Sequence, residues 1–589
     1  MKLFIVLLTG AFMLATGTSD VFAKKKEKVQ TEAKSDTVQT VSKKRNTQYP
    51  RLFKNKRVVT KKGLITIHKI NDKLYFEFPK SLLGRDFLMG SSVSATSNNT
   101  SGLVGQTMTT PLHIRFAIQE DQIYMQNVTP VSRMDVYSNQ SDISRAVAKS
   151  NIAPNMESFK IAAYNMDSTA VVFEVTKFFL ADNKRLPLFD QNSASLEDEK
   201  YGKLELKAIL KKNLSSIRNF YVFDDNLEIN LDMSFYQSLL ANKREVRGGN
   251  VRVKAVYSML LLPEEVMTWR LGDPRLGYTY TKKQKISTEK DGTAFSYLQH
   301  KWNLLPTDKE AYRRGDLVAP RKPVLFYIDS DFPEAWKKAI KEGVNWWNEA
   351  FKMAGFKDAV QTADFPANDT TFYAGNLKYS CIRYVPVNLS KTQSKVWVDP
   401  RSGEIINGTI FVGHDIAKTI ASQRFVQTAQ VDERMRGIQL SEEALLEGIR
   451  LYVAREVGHC LGLADNASAS AAFSVESLRS PEFTRQNGIA SSVMDELPYN
   501  YIAQPQDGKT DFIQNKLGAY DLFAIQMGYM LVPDAKTPEE IREKIMRWVS
   551  MKSGDPVYRY GKAQYQGAEY DPSALGGDLG NNAVKAGEY

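Results

Sequence analysis

The residues best spaced to do chemistry lie in the stretch AREVGHCLGLADN, 454–466. On a helix, residues four apart share a face, so the pattern H-E-x-x-H aims two imidazoles at one metal ion and sets a carboxylate beside them to activate a metal-bound water. In its extended form a glycine turns the chain three residues later, and a third ligand follows after three more. Here the five positions are Arg455, Glu456, His459, Gly462 and Asp465. The spacing of a metal-hydrolase site is kept, while two of its three ligand positions carry other residues.

Glu456 keeps the position of the general base, and His459 that of one metal ligand. Asp465 is a second candidate ligand, since carboxylate oxygens bind zinc. Arg455 cannot serve, because its guanidinium offers five donors, no lone pair and a pKa above ~12. If a four-ligand site is worth ~10–16 kcal/mol, each ligand lost removes very roughly 2.5–4 kcal/mol, or two to three powers of ten in affinity. A fixed positive charge beside the cation adds repulsion of about 4 kcal/mol for one unit-charge pair at ~4 Å and an effective dielectric of 20. Both effects oppose a metal. Two arrangements of Arg455 stay open: an ion pair with Asp465 in the place of the metal's charge, or a side chain bent out to solvent.

These residues need a helix and a sheet to hold them. Ser441 followed by Glu442 and Glu443 starts a helix through EALLEGIRLYVAREVGHCLGL, the carboxylates suiting its positive end. Upstream, Val324–Ile328 reads as a compact strand. It leads into a helix capped by Asp331, with the stripe Trp336, Ile340, Val344, Trp347, Phe351 and Ala354, and Gly355 at its end. KYSCIRYVPV and KVWVDPRSGEIINGTIFVGHD supply three further strands. Before residue 319 the pattern is strand-like. GLITIHKINDKLYFEFP and LHIRFAIQEDQIYMQNV alternate apolar and polar positions around the turns NDK and QED, giving β-rich regions over 63–199 and 200–318.

At the N-terminus, Lys2, the apolar run Leu3–Ala15 and the small residues near Ala23 predict a secretory signal peptide over 1–23. Residues 24–62 hold 14 Lys or Arg against 3 acids, which equals the whole net charge of +11 and leaves 63–589 neutral. That distribution excludes a groove-reading nucleic-acid binder. It predicts a solvated basic linker able to touch an anionic cell surface. No later run is long enough to cross a bilayer, so the expectation is an exported protein of the periplasm, cell surface or medium.

With GLITIHKINDKLYFEFPKSLLGRDFLMGSSVS, VLFYIDSDFPEAWKKAIKEGVNWWNEAFKMAGF, DPRSGEII, REVGHCLGLADN, SVMDE and GAYDLFAIQMGY together, the chain resembles the secreted bacterial zinc-dependent metalloproteases whose metzincin-like catalytic domain follows β-rich domains of unknown function. The resemblance implies an α+β multidomain fold with the catalytic-type domain over 319–545 and a C-terminal extension over 546–589, which reads as polar, shortened and without a closing hydrophobic element. It implies zinc as cofactor, polypeptide as substrate, Glu456 as base, His459 as ligand, Gly462 as the turning residue and Met494 as the Met-turn residue under the metal. Arg455 and Asp465 depart from it. They predict a copy with weak or absent zinc and impaired hydrolysis that keeps its cleft for peptides. The alternatives are an active peptidase with rearranged ligands, for which His414 is the spare imidazole, and an adhesion or scaffold protein acting through its β-rich regions. Cys381 and Cys460 are the only cysteines, and either a disulfide stapling strand to helix or two buried thiols fits them.

Overall fold

A computed structural model describes residues 48–589 except 99–103, 106, 130–133, 137–140, 190–196, 199, 201, 287–293, 370, 388–391, 438, 563 and 565–570. The signal peptide expected over 1–23 and residues 24–47 of the expected basic linker lie outside the described residues. Residues 48–62, read from composition as linker, are instead built into the fold. Gln48–Phe53 is a helix, and Val58–Lys62 pairs antiparallel with Thr66–Ile70. The lysines did not prevent this because one finds a local partner: Lys61 Nζ donates to Phe220 O at 2.7 Å and lies 4.4 Å from the Tyr221 ring centroid.

Alternation in the first half does what period-two patterning dictates. The turns at Asn71–Asp72 and Glu120–Asp121 close two hairpins, with Asn71 and Glu120 in the left-handed region (φ 54° and 53°). Both β-rich stretches feed one 12-stranded antiparallel sheet. Its two longest strands, Asn226–Ala241 and Arg244–Leu261, form its largest pairing. The sheet curls until its ends meet, Leu64 N donating to Phe223 O at 2.6 Å, around an aromatic core that includes Phe78, Phe87, Phe116 and Phe173.

The second half is the α/β part of an α+β chain. Its five-stranded sheet runs Val360–Asp364, Val324–Ile328, Ser380–Val385, Ile405–Gly413, Thr392–Val398; the last strand alone is antiparallel and forms an edge. The helix after the first strand spans Glu334–Asn345 and resumes as Trp347–Met353, ending at Gly355 with φ 86°. Its cap is Pro333, with no capping side chain, so Asp331 is not the cap expected from the sequence. The site helix, Glu442–Cys460, is capped by Ser441, whose Oγ accepts from Ala444 N at 3.3 Å.

Two glycines and a tryptophan fix the site helix. A Cβ at Gly343 would fall 2.6 Å from Arg450 O, so this glycine permits the close crossing with the preceding helix. Trp347 Nε1 donates to Ala454 O at 2.8 Å, one residue before the site. A Cβ at Gly408 would meet Cys460 Sγ at 3.1 Å, bringing the helix down onto the sheet. The C-terminal region corrects another expectation: Ala574, Leu579 and Ala586 are buried, and the last two close a small core with Phe473, Leu478 and Ile502. Among the described residues, no helix is long and apolar enough to cross a membrane.

Candidate functional site

Arg455, Glu456 and His459 stand on the last turns of the site helix, and Gly462 turns the chain away from it at φ 95°. Any side chain at 462 would be strained by that backbone and would also meet His300 O, 2.2 Å from the Cβ position. A strap from the first half lies across the turn, Thr279 N donating to Gly462 O (2.8 Å) and Ala464 N to Gly277 O (2.7 Å). The helix's last carbonyls are met by aromatic donors, Trp302 Nε1 on Cys460 O (2.8 Å) and the Tyr529 hydroxyl on Leu461 O (2.7 Å). These clamps return Asp465 to the helix it follows.

Of the two arrangements left open for Arg455, the structure has the ion pair. Arg455 Nη2 is 2.6 Å from Asp465 Oδ1, and His459 Nε2 is 3.3 Å from the same oxygen. Glu496 Oε1 lies 3.9 Å from the guanidinium. One carboxylate oxygen thus joins the side chains of all three ligand positions. Burial would raise the pKa of Asp465, but the His459 hydrogen bond and the Arg455 charge outweigh it and hold the carboxyl below its ordinary range. The pair's stability is therefore present above the unfolded carboxylate pKa and lost as pH falls through the lower folded one.

His459 Nδ1 is 3.0 Å from Leu463 O. A carbonyl only accepts, so Nδ1 carries a proton; that bond fixes the ring and turns Nε2, the nitrogen through which ligation would occur, toward Asp465. Glu456 is 4 % exposed and accepts from Thr392 Oγ1 at 2.9 Å, tying the base position to the edge strand. Met494 is fully buried beneath the helix, and a Cβ at Gly458 would fall 2.2 Å from its Sδ. His414 is held elsewhere, its Nδ1 2.5 Å from the Tyr384 hydroxyl.

Two residues that spacing did not reveal hold the site. Thr392 gave no signal, being joined to Glu456 only through tertiary structure. Asp521, fully buried, accepts from Ser492 Oγ (2.5 Å), Val493 N (2.9 Å) and Gly518 N (2.8 Å), and so pins the turn that carries Met494. It had a signal: Gly518 followed three residues later by Asp521 is a capping-box spacing at a helix start.

Cys381 and Cys460 are free and buried, so no disulfide joins strand to helix. Neighbours on a strand point to opposite faces. Ile382 faces the core that contains Cys460, which leaves Cys381 on the other face, with its Sγ 3.7 Å from Tyr379 O. Burial pushes the Cys381 thiol up to about 12 and raises the Cys460 thiol well above its ordinary range. A thiol alkylating agent should label neither cysteine in the native chain and both after unfolding without reductant, read as intact mass.

A family model described as Met-zincin matches residues 437–589, and two described as domains of unknown function match 47–96 and 105–307. No curated protein and no solved structure matched. The chain therefore carries a metzincin-like C-terminal domain behind two domains of unknown function. The match implies a zinc metallopeptidase family and runs through the whole of 546–589.

The residues present do not fit that family's metal. His459 Nε2 and Asp465 Oδ1 are separated much as two donors on one tetrahedral zinc would be, roughly 3.3–3.5 Å for bonds of ~2.0–2.2 Å. The remaining ligand position brings a guanidinium instead of a lone pair, hydrogen-bonded to the same oxygen. Among the described residues no group of three His, Cys, Asp or Glu side chains stands ready for one ion.

Proposed function

We propose that this chain is an exported, metzincin-like relative of zinc metallopeptidases in which peptide-bond hydrolysis is lost or strongly impaired and the cleft serves to bind polypeptide. The observation that carries the reading is the Arg455–Asp465 pair at 2.6 Å, which occupies a candidate ligand oxygen and places a fixed cation at a ligand position. Glu456 is engaged by Thr392, and without a bound metal it would have neither a polarised water to deprotonate nor a Lewis acid beside it to hold a peptide carbonyl. Binding is supported by a cavity of about 530 Å³ beside the site helix, lined by Tyr452, Arg455, Val493, Leu497, Pro498 and Tyr499. The edge strand Thr392–Val398 adjoins it and offers main-chain groups to an extended chain.

The test is zinc content and hydrolysis of an unfolded protein substrate, measured on the purified chain and on Glu456→Gln. The expected result is zinc well below one per chain and no difference in hydrolysis between the two. Stoichiometric zinc with hydrolysis abolished in Glu456→Gln would overturn the proposal in favour of an active enzyme.

A further inference from the structure

A second cavity, of about 540 Å³, lies between the two sheets, on the face of the five-stranded sheet turned away from the site helix. Strand alternation assigns its walls. Ile382, Ile410 and Val396 face the helix side, so Arg383, Phe411 and Lys395 face the cavity. The opposite wall is the large sheet, which contributes Arg218 and Lys254.

Four cations therefore converge on one enclosure, against a single lining carboxylate, Glu228. Glu228 is already engaged by the Tyr373 hydroxyl at 2.6 Å, and Tyr373 is stacked on Tyr221 with centroids 4.2 Å apart. Among the described residues none of the four cations has a carboxylate within ion-pair distance. The nearby Asp232 is clamped through both oxygens by Arg252. Burial pushes Lys395 down to about 8, with Glu228 only partly opposing, so this ammonium is held without an adequate counter-charge.

The backbone is also adapted here. The Arg218 strand shifts register between Ile217 and Asn219, and the pairing of Lys254 with the neighbouring strand shifts between Lys254 and Ala255. Arg218 is thus the extra residue of a β-bulge, which re-aims its side chain out of the regular pleat, while Lys254 lies beside a second irregularity whose extra residue is Ser94 on the partner strand. Residues 63–589 are neutral overall, so this convergence of positive charge is local.

We propose that the cavity between the two sheets binds a small polyanion, a molecule carrying two or more carboxylate, sulfate or phosphate groups, through Arg218, Lys254, Arg383 and Lys395. Guanidinium and ammonium groups on opposite walls suit charges spread over one molecule, and the volume falls within the ~300–1,000 Å³ of small-molecule sites. Tyr221 and the polar side chains Asn219 and Asn230 complete a lining suited to an acidic sugar or organic phosphate. The site owes nothing to the residues at 455–465 and stands whatever their activity.

The test is calorimetric titration of the full-length chain with trigalacturonate, a sulfated heparin disaccharide and tripolyphosphate, with maltotriose as the uncharged probe, at about 0.15 M salt so that long-range attraction is screened. At least one anionic probe should bind and maltotriose should not; the one that binds identifies carboxylate, sulfate or phosphate as the group recognised. Arg383→Gln and Lys395→Gln should each weaken that binding by about tenfold or more. If either substitution lowers the melting temperature, Arg218→Gln at the exposed rim carries the same comparison. Failure of every anionic probe to bind more tightly than maltotriose, or binding unchanged by the substitutions, would overturn the proposal.

Discussion

Arg455→His is expected to turn this chain into a zinc-binding protein, with about one zinc per chain in metal analysis after dialysis against trace zinc. The substitution acts twice. It supplies an imidazole four residues before His459 on the same helical face, and it removes the cation that holds Asp465 Oδ1 at 2.6 Å. Two imidazoles and Asp465 would then make three protein ligands with a fourth position open, the arrangement of a catalytic zinc site. One ligand gained is worth roughly two to three powers of ten in affinity, and relief of the like-charge repulsion adds to that.

The same variant tests whether Glu456 is still placed as a base. If the frame is intact, Arg455→His should hydrolyse an unfolded protein, and adding Glu456→Gln should abolish hydrolysis while leaving zinc bound. Zinc bound without hydrolysis would mean that the Thr392 bond holds Glu456 out of use, and Thr392→Val in the same background would then release it. Failure of Arg455→His to bind zinc would remove the claim that Arg455 is what excludes the metal. Adding Asp465→His would replace the weaker carboxylate donor and should raise affinity further.

Legibility in the sequence followed the range of the interactions. The site helix, its Ser441 cap, the turn at Gly462 and the relative placement of Glu456, His459 and Asp465 are set within about two dozen residues, and the helical period and loop spacing carry them. The hairpins at 71–72 and 120–121 were legible for the same reason. What joins distant segments was not. Thr392 reaches Glu456 across 64 positions, and the strap at 277–279 clamps the turn from more than 180 positions upstream; no local pattern encodes either. The choice between a disulfide and two thiols turned on which sheet face Cys381 occupies. That required the register of Ser380–Val385 against its neighbours. Composition misleads at 48–62, because VVTKK carries no apolar/polar alternation and becomes a strand only through its pairing with Thr66–Ile70.

Asp521→Ala should lower stability more than any single surface change, because one carboxylate satisfies three buried donors. Removing it strands Ser492 Oγ, Val493 N and Gly518 N together. At about 1–3 kcal/mol per unsatisfied buried donor the loss is at least about 3 kcal/mol, or a fall in melting temperature of roughly 10 °C. Asp521→Asn separates bonding from charge. Its amide oxygen can take the place of Oδ2, which accepts from both backbone N–H groups, and its NH₂ can donate to Ser492 Oγ, leaving only the hydroxyl proton without its acceptor. Stability at neutral pH should then stay within about 1 kcal/mol of the parent chain, since the amide also avoids the cost of burying a charge. The two also differ in pH dependence. Burial pushes Asp521 up to about 6, against the pull of its three donors, from an ordinary value of 3.8. A raised carboxyl binds its proton more tightly in the folded state, so its contribution to stability is present in acid and is lost as pH rises from about 4 through about 6. Asp495 is raised to about 6 as well and contributes the same slope in both proteins. The difference between parent and Asp521→Asn therefore isolates Asp521: the parent should gain stability relative to the variant as pH falls from 7 to 4. A difference that stays flat across that interval would show that the buried carboxylate remains ionised throughout, held by the two N–H groups and the hydroxyl that fix the methionine turn beneath the site.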